Sequence, residues 1–69
     1  MKVIALTQFQ TKETIGFVVS NIVTIIDHRT DNAIKDNPNF QYTTINTTKG
    51  EYRVEDTLND IMDLINLKP

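Results

Sequence analysis

The chain of 69 residues has no cysteine, only two glycines and two prolines, and no long apolar run. Without cysteine it can form neither a disulfide nor a thiolate metal site. No segment approaches the roughly 18–20 apolar residues of a transmembrane helix. The start, MKVIALTQF, also lacks a small-residue cleavage pattern. We therefore expect one cytoplasmic domain over residues 1–69, with no membrane role and a thin core stabilised by packing or self-association.

The charged residues show no basic excess, since the formal net charge is −2. Lysines and arginines are scattered, so the counterion release that drives nucleic-acid binding would be small. We therefore do not expect nucleic acid as a partner, and we keep a small β-barrel nucleic-acid-binding protein only as the alternative. The features that favour this alternative are Lys49, Tyr52 and Arg53 on a predicted hairpin, with Tyr42 on the preceding strand.

Residues 42–66 carry the clearest structural pattern, a β-hairpin followed directly by a helix. A two-residue turn at Lys49-Gly50, with positive φ at Gly50, would pair Ile45 with Val54. The alternative is a three-residue turn over 48–50. In this register one face of the hairpin is apolar or β-branched, which is typical of a half-buried antiparallel pair. The residues on that face are Thr43, Ile45, Thr47, Tyr52 and Val54.

The helix is predicted from about Asp56 to Asn66. Thr57 and Asp60 resemble a capping box, and acidic groups near the first turn suit the helix dipole. Apolar residues then recur at the spacing of one helix face. They are Leu58, Ile61, Met62 and Ile65, with Leu64 and Leu67 widening the stripe.

The remaining apolar segments predict strands over residues 2–7, 14–19, 22–26 and 40–47. A single bent strand over 14–26 and a helix over 18–26 are the alternatives. The fold class is α+β: a small antiparallel β-meander or partly closed barrel of about five short strands, with one C-terminal amphipathic helix. The predicted core comprises Val3, Ala5, Ile15, Phe17, Ile22, Ile25, Ile45, Tyr52, Val54, Leu58, Ile61, Met62 and Ile65.

A long polar loop at about 27–39 separates the two halves of the chain. Long loops in small domains are either functional or mobile. Its candidate interaction residues are His28, Arg29, Asp31, Ile34 and Lys35. One histidine without a second ligand does not make a transition-metal site, and no nucleophile elbow, calcium-loop spacing or phosphate-binding glycine loop is present. We therefore expect no enzyme activity, no cofactor and no metal.

Acidic residues form a second candidate interaction surface near the helix. They could engage a basic partner or imitate nucleic acid, and helix-dipole compensation with solubility is the simpler alternative. The candidate residues are Glu55, Asp56, Asp60 and Asp63. A membrane role is not expected, because anionic lipids would repel this face.

The string SNIVTII, followed after a gap by YTTINTTKGEYRVEDTLNDIMDLI, resembles the FlbD-like family of small flagellar-operon proteins. The matching positions are Asn21, Ile22, Ile25, Thr47, Gly50, Val54, Glu55 to Thr57, Ile61 and Ile65. The sequence departs from the family pattern in its longer polar loop at 27–39 and its threonine-rich strand. The resemblance supplies no catalytic residue, and it implies an accessory or regulatory role.

These observations predict a small non-enzymatic accessory or regulatory protein-interaction module. The richness in Thr, Ile, Asn and Asp indicates an AT-rich coding sequence, so we expect a bacterial or phage origin. The expected partners are the protein itself, as a homodimer or higher oligomer, and an unidentified protein. A free strand edge, the 27–39 loop or the acidic helix face would make the contact.

Overall fold

The computed structural model describes residues 1–67 and contains five antiparallel strands and one C-terminal helix. Residues 68 and 69, which the predicted domain includes, lie outside the described residues. The strands form a two-stranded sheet, β1–β2, and a three-stranded meander, β3–β4–β5. This confirms the predicted α+β class. The elements are β1 (Val3–Thr7), β2 (Thr14–Val18), β3 (Ile22–Asp27), β4 (Thr43–Thr47), β5 (Gly50–Val54) and α1 (Leu58–Asn66).

The two sheets do not close into a barrel, which excludes the partly closed barrel, one of the two predicted alternatives. A 3₁₀ turn at Val19–Asn21 separates β2 from β3, close to the predicted break, and prevents both the bent strand and the helix over 18–26. The end of β1 meets the end of β5 through a single bridge between Gln8 and Val54. Two backbone hydrogen bonds join the sheets at this corner, from the Phe9 amide to the Arg53 carbonyl and from the Glu55 amide to the Thr7 carbonyl. Among the described residues, the other edges of the two sheets do not pair with each other.

The hairpin β4–β5 has the predicted faces but a different register. Ile45 pairs with Tyr52, and Thr47 pairs with Gly50, so the turn residues are Thr48 and Lys49. The pairing of Ile45 with Val54 was therefore wrong by two positions, which leaves each side chain on its predicted face. The Thr47 hydroxyl accepts from the Lys49 amide (3.1 Å) and donates to the Gly50 carbonyl (2.9 Å), which favours the earlier turn. Gly50 has a φ of 140°, so glycine is needed at the first residue of β5.

The core lies between the two sheets and α1. Its buried members are Ile4, Leu6, Phe17, Ile45, Val54 and Ile61. Tyr52 packs against Phe17 edge to face, with ring centroids 5.2 Å apart, which confirms its inward orientation. Ile15, Ile22, Ile25 and Ile65 pack against the core from partly buried positions, as expected.

Strand β1 turns the opposite face to the core from the one predicted. Ile4 and Leu6 are buried, whereas Val3 is 55 % exposed and Ala5 is also exposed. All four side chains are apolar, so alternation could not select a face. Burying Ile4 and Leu6 removes more apolar surface from water than burying Val3 and Ala5 would, which explains the choice.

Helix α1 begins at Leu58, two residues later than predicted. Thr57 is the N-cap, and its hydroxyl accepts from the Asp60 amide at 3.1 Å. Ile61 is fully buried, but Met62 is 42 % exposed and does not belong to the core. Within residues 1–67, no helix has the length and apolar character needed to cross a membrane.

The segment between β3 and β4 is longer and more ordered than the predicted loop. Asp27 is the last residue of β3 and is buried, and β4 begins at Thr43 rather than at residue 40. Two 3₁₀ turns, His28–Thr30 and Pro38–Phe40, lie within the segment. The Asn37 side chain accepts from the Asn39 amide at 2.9 Å, and this capping of the second turn excludes the predicted strand over 40–42.

Candidate functional site

The predicted loop candidates separate into two groups. His28 and Arg29 are partly buried against the sheet, whereas Asp31 and Lys35 are exposed and Ile34 is partly buried. The Asp31 carboxylate accepts from the Ala33 amide at 2.9 Å, which fixes a local turn. The structure therefore does not bring the five loop candidates together on one surface.

Arg29 lies at the centre of a hydrogen-bond network between β3, β4 and the start of α1. Its guanidinium donates to the Asp27 carboxylate (2.8 Å) and to the Thr43 hydroxyl (2.8 Å). It also donates to the carbonyls of Glu55 and Asp56, each at 3.2 Å. These acceptors lie in β3, in β4 and just before α1, so the network joins segments that are far apart in the sequence.

Asp27 completes this network and was not among the sequence candidates. Its carboxylate accepts from the Arg29 amide (3.0 Å) and from the Leu58 amide (3.1 Å) at the helix start. Burial works to raise the pKa of Asp27, but the hydrogen bonds from Arg29 and Leu58 outweigh it, and the pKa lies below its ordinary value. The sequence signal that could have identified Asp27 is its position at a strand end, two residues before an arginine. We call Asp27, Arg29 and Thr43 the latch.

His28 belongs to an aromatic cluster on the opposite side of the three-stranded sheet from the core. Its Nε2 lies 2.8 Å from the Thr44 hydroxyl, and its ring centroid is 4.8 Å from that of Tyr42. Phe9 also packs on Tyr42, with centroids 5.1 Å apart. Tyr42 is only 7 % exposed, so the cluster acts as a second, smaller core that holds the 28–42 segment against the sheet.

Two cations lie above this cluster. The Arg53 guanidinium is 5.1 Å from the Tyr42 centroid, and the Lys12 ammonium is 5.7 Å from the Phe9 centroid. Both distances are typical of cation–π contacts. The sequence named Tyr42 and Arg53 among the residues of a candidate stacking surface, and the structure places Arg53 over Tyr42.

The acidic surface is smaller than the sequence predicted. Glu55 is paired with Lys12 at 2.5 Å, and the Asp56 carboxylate accepts from the Thr7 amide at 2.8 Å. Asp60 and Asp63 remain exposed on α1. Within residues 1–67, no group of three His, Cys, Asp or Glu side chains has a geometry that could hold a metal ion.

The edge of strand β1 that faces away from β2 is hydrogen-bonded over only part of its length. The Lys2 carbonyl and the Gln8 amide bond towards β2, at 3.0 and 2.8 Å, so the even-numbered residues of β1 face β2. The odd-numbered residues face the other way, where Thr7 and Phe9 bond to the end of β5 and to Asp56. Among residues 1–67, no hydrogen bond reaches the outward amide and carbonyl groups of Val3 and Ala5.

An apolar groove of about 590 Å³ lies beside this open edge. Its floor is residues 1–5, and the end of α1 forms its wall through Leu64 and Leu67. The Lys2 ammonium donates to the carbonyls of Ile65 and Leu67, which holds the end of α1 next to β1. Leu67 is 60 % exposed, so unpaired backbone groups and exposed apolar side chains occur together here.

Comparison of the chain with family models, curated proteins and solved structures finds no match in any of the three. The resemblance to the FlbD-like family therefore stays a prediction.

Proposed function

We propose that this protein is a small non-enzymatic module that binds another protein chain as an added β-strand at the edge of β1. The observation that carries this proposal is the set of four unpaired backbone groups of Val3 and Ala5 beside an apolar groove. In β-strand addition, main-chain hydrogen bonds supply affinity and pockets for alternate side chains supply specificity. The occupant is an extended segment with apolar residues at alternate positions.

The other two predicted contact surfaces have less support. The 28–42 segment is held at its two ends by the latch and the aromatic cluster, which use His28, Arg29 and Tyr42 internally. On the acidic side, Glu55 and Asp56 have partners within the chain, which leaves Asp60 and Asp63. Two exposed carboxylates at a helix surface are adequately explained by solubility.

The accessory or regulatory role, the bacterial or phage origin and the cytoplasmic location stay predictions from the sequence. The internal roles of Asp27 and Arg29 are compatible with a module that works by contact, because their polar groups bond to one another and to the backbone.

The experiment is site-specific photocrosslinking in the cells that normally produce the protein. A photoreactive residue at Val3 is expected to give discrete protein adducts, and the same residue at exposed Thr24 on β3 is the matched control. Adding Ala5→Pro to the Val3 probe should abolish the adducts, because proline blocks the open edge. Identical adducts from both probe positions, or none from Val3, would refute the proposal.

A nucleic-acid role is the second candidate, and the specific observation in its favour is the placement of Arg53 and Lys12 over aromatic rings. Single-stranded nucleic acid stacks on exposed aromatic faces beside cations. Of these two rings, however, Tyr42 is buried and Phe9 is only partly exposed, so the aromatic surface beside the two cations is small. Binding of a fluorescent oligonucleotide at low salt, lost in Arg53→Gln and steeply reduced by added salt, would support this role.

A further inference from the structure

The open groups of β1 are arranged so that they satisfy one another when two copies meet. We infer that the strand added to β1 is β1 of a second copy, paired antiparallel about a two-fold axis at Ile4. The inference rests on the proposed use of the β1 edge and names its occupant. It predicts a symmetric dimer in which the same surface is used by both copies.

The register follows from which groups are open. In an antiparallel pair, alternate residues exchange two hydrogen bonds with the residue opposite. Placing Val3 opposite Ala5 of the second copy, and Ala5 opposite Val3, forms four bonds and uses all four open groups of each chain. Pairing Ala5 with Ala5 of the second copy would place Val3 opposite Thr7. The Thr7 amide and carbonyl already bond to Asp56 and Glu55, so they could not bond to Val3. The Val3–Ala5 register therefore leaves none of these groups unused.

The side chains around the groove also favour a second copy over a charged partner. Lys2 is the single charged residue of the groove lining, and its ammonium bonds to carbonyls at the end of α1. The other lining side chains are apolar, so the groove suits an apolar strand such as residues 3–5 of a second copy better than a highly charged peptide.

Self-pairing would also cover apolar side chains that the single chain leaves in water. In the proposed register the exposed side chains of Val3 and Ala5 lie beside Ala5 and Val3 of the other copy, while the buried Ile4 stays in the core of each copy. Exposed Leu67 then lies at the border of the shared interface. A chain of 69 residues buries a smaller fraction of its surface than a larger domain does, so association supplies burial that the fold lacks.

The first test is the mass of the protein in solution over a wide concentration range, by sedimentation equilibrium. We expect a monomer–dimer equilibrium for the unmodified chain and a monomer for Ala5→Pro. Proline at position 5 removes an outward amide that makes no bond to β2, so the β1–β2 ladder keeps its hydrogen bonds. Thr14→Pro on β2 is the matched control, since its amide faces the opposite edge of the same sheet, and it should remain dimeric.

Circular dichroism shows whether each proline variant is folded. If Ala5→Pro unfolds, a synthetic chain with an N-methyl group on the Ala5 amide tests the same edge without fixing φ. This chain should also be monomeric.

The second test reports the register. The chain has no cysteine, so Val3→Cys and Ala5→Cys each introduce a single thiol. Residues opposite each other in a hydrogen-bonded pair have Cα atoms about 5.5 Å apart, which suits a disulfide. Mild oxidation of the mixed variants should give mainly the heterodisulfide, identified by its mass, and each variant alone should link poorly.

A chain that stays monomeric at every concentration would overturn the inference, as would a dimer that survives Ala5→Pro and gives no heterodisulfide. A dominant Val3→Cys homodisulfide would overturn the register. The proposed function can survive this failure, because adducts of the Val3 photoprobe with a different protein would show that the edge binds another chain. Failure of both measurements would remove both proposals.

Discussion

Replacing Arg29 with methionine should destabilise the fold strongly, although the sequence predicts a polar loop at this position. The guanidinium makes four hydrogen bonds to acceptors in three segments of the chain. Its side chain is 22 % exposed and that of Asp27 is 7 % exposed, so water can replace these bonds only in part. Methionine keeps much of the length and apolar stem but donates nothing.

The magnitude follows from what the substitution leaves behind. A largely buried carboxylate without its cation costs about 3–5 kcal/mol, and the partial exposure of Arg29 reduces this to about 2–4 kcal/mol. A chain of this length has a net stability of roughly 3–10 kcal/mol. At about 4–8 °C per kcal/mol, the midpoint of thermal unfolding should fall by roughly 8–32 °C.

The assay is urea and thermal unfolding followed by circular dichroism. Lys35→Met is the matched control, because Lys35 is an exposed cation in the same segment, and it should change stability by less than about 0.5 kcal/mol. In a double-mutant cycle with Asp27→Asn, a coupling of about 1–3 kcal/mol is expected. If Arg29→Met unfolds at the same urea concentration as Lys35→Met, the latch does not stabilise the fold.

Two further predictions concern pH and the helix. Because the pKa of Asp27 is lower in the folded chain than in the unfolded chain, its contribution is present above the unfolded value of about 3.9 and is lost as pH falls through the folded value. Asp27→Asn should therefore flatten the acid side of the stability–pH curve, and an unchanged acid limb would contradict the pKa direction. Ile61→Ala should cost about 2–5 kcal/mol in urea unfolding, because Ile61 is fully buried, whereas Met62→Ala should cost well under half as much; equal losses would contradict the observed helix face.

The C-terminal half was the more predictable part of the fold because its pattern is redundant. Two strands with opposed faces and a helix with a continuous apolar stripe specify the same core. Thr57 was identified correctly as a capping residue, and the inward orientation of Tyr52 is confirmed by its contact with Phe17.

Prediction failed where local rules left two equivalent choices. In β1 both faces are apolar, so the comparison of Ile4 with Val3 could be made only once α1 and β4 were in place. The turn of the hairpin was misplaced by one residue because a glycine at position 50 fits equally well as the second turn residue and as the first residue of β5. In both cases contacts from elsewhere in the chain made the choice.

The candidate site depended even more on tertiary structure. Arg29 and Asp56 were named as interaction residues, but both bond within the chain. The Arg29 guanidinium donates to the Asp56 carbonyl, and the Asp56 carboxylate accepts from the Thr7 amide. The open edge of β1 could be expected as a general feature of a small sheet, but its position could not. Only the hydrogen bonds of Thr7 and Phe9 show where pairing along the outer edge of β1 stops, which leaves the outward backbone groups of Val3 and Ala5 without a partner among residues 1–67.

The sequence by itself determined the fold class: five short strands and one amphipathic helix, without a cysteine-based site. These are local properties, since strand and helix periods and residue types are properties of neighbouring positions along the chain. The tertiary structure alone decided which face of β1 is buried, which charges are satisfied within the chain and how much of the outer edge of β1 stays open. Those outcomes depend on hydrogen bonds and packing between residues far apart in the chain, and no local pattern encodes them.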